Sequence, residues 1–119
     1  MPKTVLFIDD EIEFTGILVQ MFGPRGYTAL EANSGADALD ILSKTPVDLV
    51  TLDINMPGMN GIEVAAQMNK RFPKVKIVVV SGFGGEYDDE LETVKVDAHV
   101  PKPPNIAALL KKVSELLGS

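Results

Sequence analysis

Four apolar runs in this 119-residue chain end in groups that can do chemistry. Val5-Leu6-Phe7-Ile8 leads into Asp9-Asp10-Glu11, and Val47 to Leu52 leads into Asp53. Val75 to Val80 leads into Ser81, and the run ending at Val100 leads into Pro101-Lys102. Singly, each has a plain explanation. An aspartate ahead of a helix is most often an N-cap. A serine or lysine beside a turn is most often solvated. Asp53 fits such explanations less well, because an unpaired carboxylate at the end of an apolar strand is costly. Gathered at one edge, these carboxylates, hydroxyl and ammonium have a joint chemistry. Carboxylates held close repel one another and require a cation. All-oxygen donors select a hard ion, Mg²⁺, with Mn²⁺ as the alternative. Such an ion keeps positions open for phosphate oxygens. Ser81 can donate to one such oxygen, and Lys102 can neutralise another. These are the parts of a phosphoryl-transfer site. No cysteine is present, and the single histidine is not placed as a nucleophile. A carboxylate can take that role by forming an acyl phosphate. Asp53, between the strand-one acids and the Ser81/Lys102 pair, is the candidate.

The elements that must position these groups alternate. Strands are expected at Val5–Ile8, Tyr27–Ala32, Val47–Leu52, Val75–Val80 and Asp97–Val100, the second nearer an edge. Unbroken apolar runs suit strands buried on both faces of a parallel sheet. Between them lie helical periodicities. Phe14, Ile17, Leu18, Met21 and Phe22 mark a first helix stopped by Gly23-Pro24. Ser34 caps a second, with Ala38, Leu39 and Leu42 inward. Asn60 caps a third carrying Ile62, Ala65, Met68 and Phe72. A weak fourth near residues 87–95 has only Tyr87, Leu91 and Val94 on one face. Asn105 caps the last, with Ile106, Leu109, Leu110, Val113, Leu116 and Leu117 on one side. Five βα units predict an α/β fold, a parallel sheet with helices on both faces. Ligands of such sheets bind outside the carboxyl ends of the strands, which is where the reactive groups fall. Strand two contributes nothing obvious there.

Composition narrows the field. Hydrophobic residues make up 45% and charged residues 24%, a balance that supports a folded core without disulfides. Zero cysteines and one histidine exclude a zinc ribbon, an iron–sulfur site and a thiol nucleophile. The net charge of −6 argues against direct nucleic-acid binding, which wants a basic face. The apolar run after Met1-Pro2-Lys3 is too short for a secretory signal or a membrane span, so the expected location is the cytoplasm. The length fits one domain, residues 1–119, with no output domain in this chain.

The pattern resembles the receiver domain of response regulators, the CheY-like phospho-acceptor of two-component signalling. The resemblance runs through essentially the whole chain. It rests on Phe7-Ile8-Asp9-Asp10-Glu11, on Leu52-Asp53-Ile54-Asn55-Met56-Pro57-Gly58-Met59-Asn60-Gly61, on Val80-Ser81-Gly82 and on Pro101-Lys102-Pro103. It implies a doubly wound five-stranded sheet with five helices, in the strand order 2-1-3-4-5 that flavodoxin-like and CheY-like folds share. It implies that Asp53 takes a phosphoryl group from a phosphohistidine on a sensor histidine kinase or histidine phosphotransfer protein. Asp10, Asp53 and the backbone carbonyl of Asn55 would hold Mg²⁺, with Asp9 helping through water. Ser81 and Lys102 would meet phosphoryl oxygens, and the Lys102–Pro103 bond would be cis. Gly82 would leave room for the phosphoryl group. Phosphorylation would switch a partner face around the fourth and fifth helices and fifth strand for a downstream protein target, in a monomer or weak dimer.

Three features depart from the pattern or tune it. His99 stands where the family usually has an aromatic switch residue; it reads equally as a surface histidine or as a pH-coupled switch, its reference pKa being about 6.5. Val94-Lys95-Val96 replaces small residues, and with Gly82, Gly84 and Gly85 nearby predicts a mobile segment over 82–96. Asn55 could orient a water and Phe83 could shield the site, with opposite effects on phosphoryl lifetime. Other classes fit less well. A phosphorylation-independent receiver-fold docking module would not need the full set of site residues. A haloacid-dehalogenase-like phosphatase wants an acid at position 55 and a cap domain. A flavodoxin-type flavin carrier wants a phosphate loop where Asp9-Asp10-Glu11 would repel phosphate.

Overall fold

The computed structural model describes residues 2–118 apart from Asn55, Pro57, Met59, the stretch 82–91 and Pro103, and for Ser81 its backbone alone. Five strands, β1 (Thr4–Ile8), β2 (Thr28–Ala32), β3 (Leu49–Leu52), β4 (Lys76–Ser81) and β5 (Ala98–Pro101), form one parallel sheet in the order β2-β1-β3-β4-β5. The expected order is borne out, with β2 at an edge. Four α-helices lie among the described residues: α1 (Ile12–Phe22), α2 (Gly35–Lys44), α3 (Gly61–Arg71) and α4 (Ile106–Leu117). The helix expected near 87–95 falls mostly outside the described residues, Tyr87 and Leu91 included; its described end at 92–94 is a turn.

Alternation along the strands divides the core between two faces. Leu6, Ile8, Val50, Leu52, Ile77 and Val79 pack under α2 and α3, against Ala38, Leu42, Ile62, Val64, Ala65 and Met68. Val5, Phe7, Leu49, Val78 and Val80 pack under α1 and α4, against Leu18, Phe22, Leu109 and Val113. Phe7 and Phe22 meet edge to face, their centroids 4.9 Å apart. The central strands β1, β3 and β4 are therefore largely apolar on both sides, with Thr51 the buried polar residue of β3, which is why their sequences are rich in apolar residues.

The predicted caps form. Ser34, Asn60 and Asn105 accept the backbone N–H of Asp37, Glu63 and Ala108 at 3.1, 3.0 and 3.1 Å, each satisfying an amide that the first helical turn leaves without a partner. Helix α1 departs from its sequence pattern. Its buried line is Thr15, Leu18 and Phe22, whereas Ile17 is 52% exposed. Ile17 lies about 100° around the helix from Leu18, off the stripe that faces the sheet. The helix does stop at Gly23-Pro24, as expected: α1 ends at Phe22 with Gly23 as its C-cap. Gly23–Arg25 forms a 3₁₀ turn, and Gly26 breaks it at φ +93°, a conformation open to glycine. Strands three and five start one residue after Asp48 and Asp97, not at Val47 and Asp97.

Candidate functional site: an acidic pocket at the carboxyl edge

Because β1 and β3 are neighbours and Ile8 pairs with Leu52, the residues that follow them emerge side by side. The Asp9 amide donates to Ala32 O at 3.1 Å and the Asp53 amide to Ile8 O at 3.0 Å, extending the ladder one step beyond the strands. Both side chains are held in the protein, Asp9 at 2% and Asp53 at 5% exposure, while Asp10 faces solvent. One carboxylate oxygen from each of Asp9, Asp10 and Asp53 lies within 4.8 Å of the other two.

Lys102 reaches this group from the far edge of the sheet, just past β5. Its ammonium lies 2.8 Å from Asp9 Oδ2, 2.6 Å from Glu11 Oε1 and 3.7 Å from Asp53 Oδ2. The same nitrogen sits 4.9 Å from the centroid of the Phe14 ring, adding a cation–π contact. Asp9 is not the helix cap that a lone aspartate would suggest. Its Oδ1 accepts the Glu11 amide at 2.9 Å, and Glu11 occupies the α1 N-cap position without a side-chain bond.

The charges are not balanced. Burial pushes the Asp9 carboxyl above its ordinary range, and the bonds from Lys102 and the Glu11 amide only partly oppose this. Burial would likewise lower the Lys102 ammonium, but its bonds to Asp9 and Glu11 and the charge of Asp53 outweigh that and hold it well above its ordinary value. One ammonium thus serves several carboxylates. Asp9 is left as an acid whose charge wants a second cation, and an all-oxygen, partly open donor set fits a hard divalent ion.

Backbone packing fixes the strand that carries Asp53 from the other side. Gly61 opens α3 and donates its amide to Ile54 O at 2.9 Å. A Cβ on Gly61 would come within 2.7 Å of Ile54 Cα and closer still to the Asp53 carbonyl oxygen. Only glycine lets α3 approach the backbone that carries Asp53 so closely.

The structure therefore brings together Asp9, Asp10, Asp53 and Lys102, and adds Glu11 as a second anchor for the lysine. Ser81 ends β4 opposite Pro101 in the pairing register, at the same edge of the sheet. Asn55, Gly82, Phe83 and Pro103, and with Pro103 the expected cis bond, lie outside the described residues, as do residues 82–91 of the segment expected to be mobile. His99 pairs with Val79 within β5 and is exposed. Strand two does contribute, contrary to expectation. Asn33, just past its end, donates from Nδ2 to Asp9 O at 2.8 Å and to Thr15 Oγ1 at 3.0 Å. The available signal was Thr15, a polar residue within the apolar spacing of α1.

A family model described as the response regulator receiver domain matches residues 5–114. The chain belongs to this family. It is 32% identical over 119 residues to sporulation initiation phosphotransferase F of Bacillus subtilis, covering 98% of this chain and 95% of that protein. It is 35% identical over 107 residues to the autoinducer 1 sensor kinase/phosphatase LuxN of Vibrio campbellii, covering 89% of this chain but 12% of that protein. The chain thus spans nearly the whole of one relative and only a small part of another. Among solved structures, the response regulator TrrA of Thermotoga maritima, in complex with Mg²⁺-BeF, superposes with a TM-score of 0.87 at 34% identity, covering 97% of this chain and 99% of that one. A CheY-like receiver domain from Methanospirillum hungatei superposes with a TM-score of 0.94 at 26% identity, covering 99% and 95%. Among the described residues, no helix of this receiver domain is long and apolar enough to cross a membrane.

Proposed function

We propose that this receiver domain accepts a phosphoryl group on Asp53 from a phosphohistidine of a sensor histidine kinase or histidine phosphotransfer protein. The observation that carries the reading is the convergence of Asp9, Asp10, Asp53 and Lys102 at the carboxyl edge of a receiver fold. In the transfer, an Asp53 carboxylate oxygen forms a bond to phosphorus as the phosphorus–nitrogen bond breaks. The imidazole leaves with the electron pair and takes up a proton from solvent. Asp10, Asp53 and the Asn55 carbonyl would hold Mg²⁺, with Asp9 acting through water. When bound, the ion neutralises charge on the phosphoryl oxygens. Lys102 is poised to turn from Asp9 and Glu11 toward a phosphoryl oxygen on Asp53, and Ser81 would bond another. These groups belong to the chain itself, so it promotes its own phosphorylation and dephosphorylation, and a small acyl phosphate can replace the protein donor.

The docking surfaces follow from exposure. Ile12 and Ile17 are 66% and 52% exposed on α1, whose amino end abuts the acidic pocket. Ile12, in the first turn beside Glu11, offers a phosphodonor an apolar contact at the rim of the acidic pocket, and Ile17 lies farther along the helix on another face. The output face is assigned to β5, α4 and the segment before β5, with Ser81 and His99 as the switch and a downstream protein as the target, in the cytoplasm.

The test is intact-protein mass after incubation with acetyl phosphate and Mg²⁺. One added phosphoryl group is expected on the wild type, and none on Asp53→Asn or in the presence of a chelator. A wild type that binds Mg²⁺ and beryllofluoride without switching or gaining mass would instead mark a phosphorylation-independent docking module.

A further inference from the structure

We infer that Thr15 and Asn33 are positioning residues for the acidic pocket, acting through the backbone carbonyl of Asp9. Thr15 has no exposed surface, yet it sits on the buried line of α1, one turn before Leu18. A hydroxyl there is costly unless bonded. Its oxygen lies 3.0 Å from Glu31 Oε1, 3.1 Å from Ile12 O and 3.0 Å from Asn33 Nδ2. Asn33 Nδ2 carries two hydrogens, and it has two acceptors, Thr15 Oγ1 and Asp9 O at 2.8 Å. The amide is saturated and its orientation fixed. The hydroxyl, accepting from Asn33, keeps its own hydrogen for Glu31 or Ile12 O. A connected path therefore runs from Glu31 on the edge strand, through Thr15 and Asn33, to Asp9.

That path completes the restraint of Asp9. The residue is held by its amide on Ala32 O, by its carbonyl from Asn33, by Oδ1 on the Glu11 amide and by Oδ2 on Lys102. Two of these bonds, from Asn33 and Lys102, come from side chains, and Lys102 is the one that must move if it is to meet a phosphoryl oxygen. Asn33 supplies the side-chain restraint that persists. With the Asp9 carbonyl held, the turn that presents the Asp9 and Asp10 carboxylates stays in register with Asp53. Partners that orient a metal-binding group in this way typically influence affinity by ten- to a hundredfold.

The proposal is tested on the full chain in two arms. The first needs no metal: amide hydrogen exchange at Asp9 and Glu11, whose N–H groups bond Ala32 O and Asp9 Oδ1. Asn33→Ala and Thr15→Val are expected to speed exchange at both amides on the order of tenfold, and Thr15→Ser to restore protection. The second arm rests on the proposed Mg²⁺ site and measures Mg²⁺ affinity by calorimetry. Asn33→Ala and Thr15→Val are expected to weaken it on the order of tenfold, and Thr15→Ser to behave as wild type. Ser34→Ala removes the adjacent α2 cap without touching Asp9 and controls for general destabilisation. The inference is overturned if Asn33→Ala leaves both amides protected, or if Ser34→Ala reproduces its effects. A wild type that binds no Mg²⁺ while the first arm behaves as expected would overturn the metal site and leave the positioning role standing.

Discussion

The two ends of the sheet both carry aspartates beside a strand, and they use them in opposite ways. At the amino end, Asp48 and Asp97 make the same two-bond closure. Each donates its amide to a neighbouring strand's carbonyl, Thr4 O at 2.9 Å and Ile77 O at 2.8 Å. Each also accepts that same residue's amide on Oδ2, at 2.8 Å in both cases. The carboxylate is consumed in finishing the ladder. At the carboxyl end, Asp9 and Asp53 make the amide bond to the neighbouring strand in the same fashion, but their carboxylates turn to each other, to Asp10 and to Lys102. What separates structure from chemistry is therefore not the residue type or its place beside a strand. It is whether the carboxylate closes onto the amide of the neighbouring strand or faces other carboxylates. In the second case several carboxylates share one ammonium, and the pocket keeps an excess of negative charge for a ligand.

The largest effect that would sharpen this contrast lies in the backbone under Asp53. Gly61→Ala forces a methyl group against Ile54 Cα and the Asp53 carbonyl, neither of which is a flexible side-chain end. The expected cost is about 3 kcal/mol of unfolding free energy, in line with overpacking a tight contact, read from urea denaturation. Phosphoryl uptake should fall with it even where the protein remains folded, because relief of the clash must shift α3 or Asp53. A variant as stable and as readily phosphorylated as wild type would show that the close approach is dispensable.

A smaller effect is expected at the amino end. Asp48→Ala leaves the part-buried Thr4 amide without its acceptor, at a cost of about 1–2 kcal/mol. Mg²⁺ affinity should not change, because the whole length of β1 and β3 separates this closure from the pocket. A matching loss of Mg²⁺ affinity would erase the division between the two ends.

The same contrast explains what the sequence disclosed. The strand order is implied only by the resemblance to receiver domains, whereas the three side-chain caps and the gathering of Asp9, Asp10, Asp53 and Lys102 at one edge follow from capping residues and what ends each apolar run, all local signals. The strand starts at Asp48 and Asp97 did not, because a closing aspartate and a strand aspartate look alike until the neighbouring amide is known. Ile17 matched a helical spacing, yet the stripe that meets the sheet is set by how α1 lies on Val5 and Phe7, a tertiary matter. Glu11 read as one more acid in a run, and its role as an anchor for Lys102 depends on a residue 91 positions away. Asn33 was signalled only indirectly, by the polar Thr15 in the apolar spacing of α1, because its two acceptors, Asp9 and Thr15, are 24 and 18 positions distant.

Asp9→Asn gives the smallest change in stability and the sharpest test of the comparison, because its sign is opposite to that at Asp48. Burial holds the Asp9 carboxyl above its unfolded value, so the folded state favours the protonated form. The stability this contributes is present below the ordinary carboxylate range and is lost as pH rises through the raised folded value. At neutral pH in chelator, the ionised carboxylate is therefore a net liability, which an asparagine of the same shape lacks. Asp9→Asn should match wild type at low pH and become relatively more stable as pH rises above about 4, the reference carboxylate range. Excess Mg²⁺ should narrow the difference by stabilising wild type alone. Thermal unfolding across pH, with and without Mg²⁺, reads both effects. A variant less stable than wild type at neutral pH in chelator would mean that the bond from Lys102 outweighs burial. Asp9 would then belong with Asp48 and Asp97 as a structural carboxylate, and the unbalanced charge that defines the pocket would rest on Asp10 and Asp53.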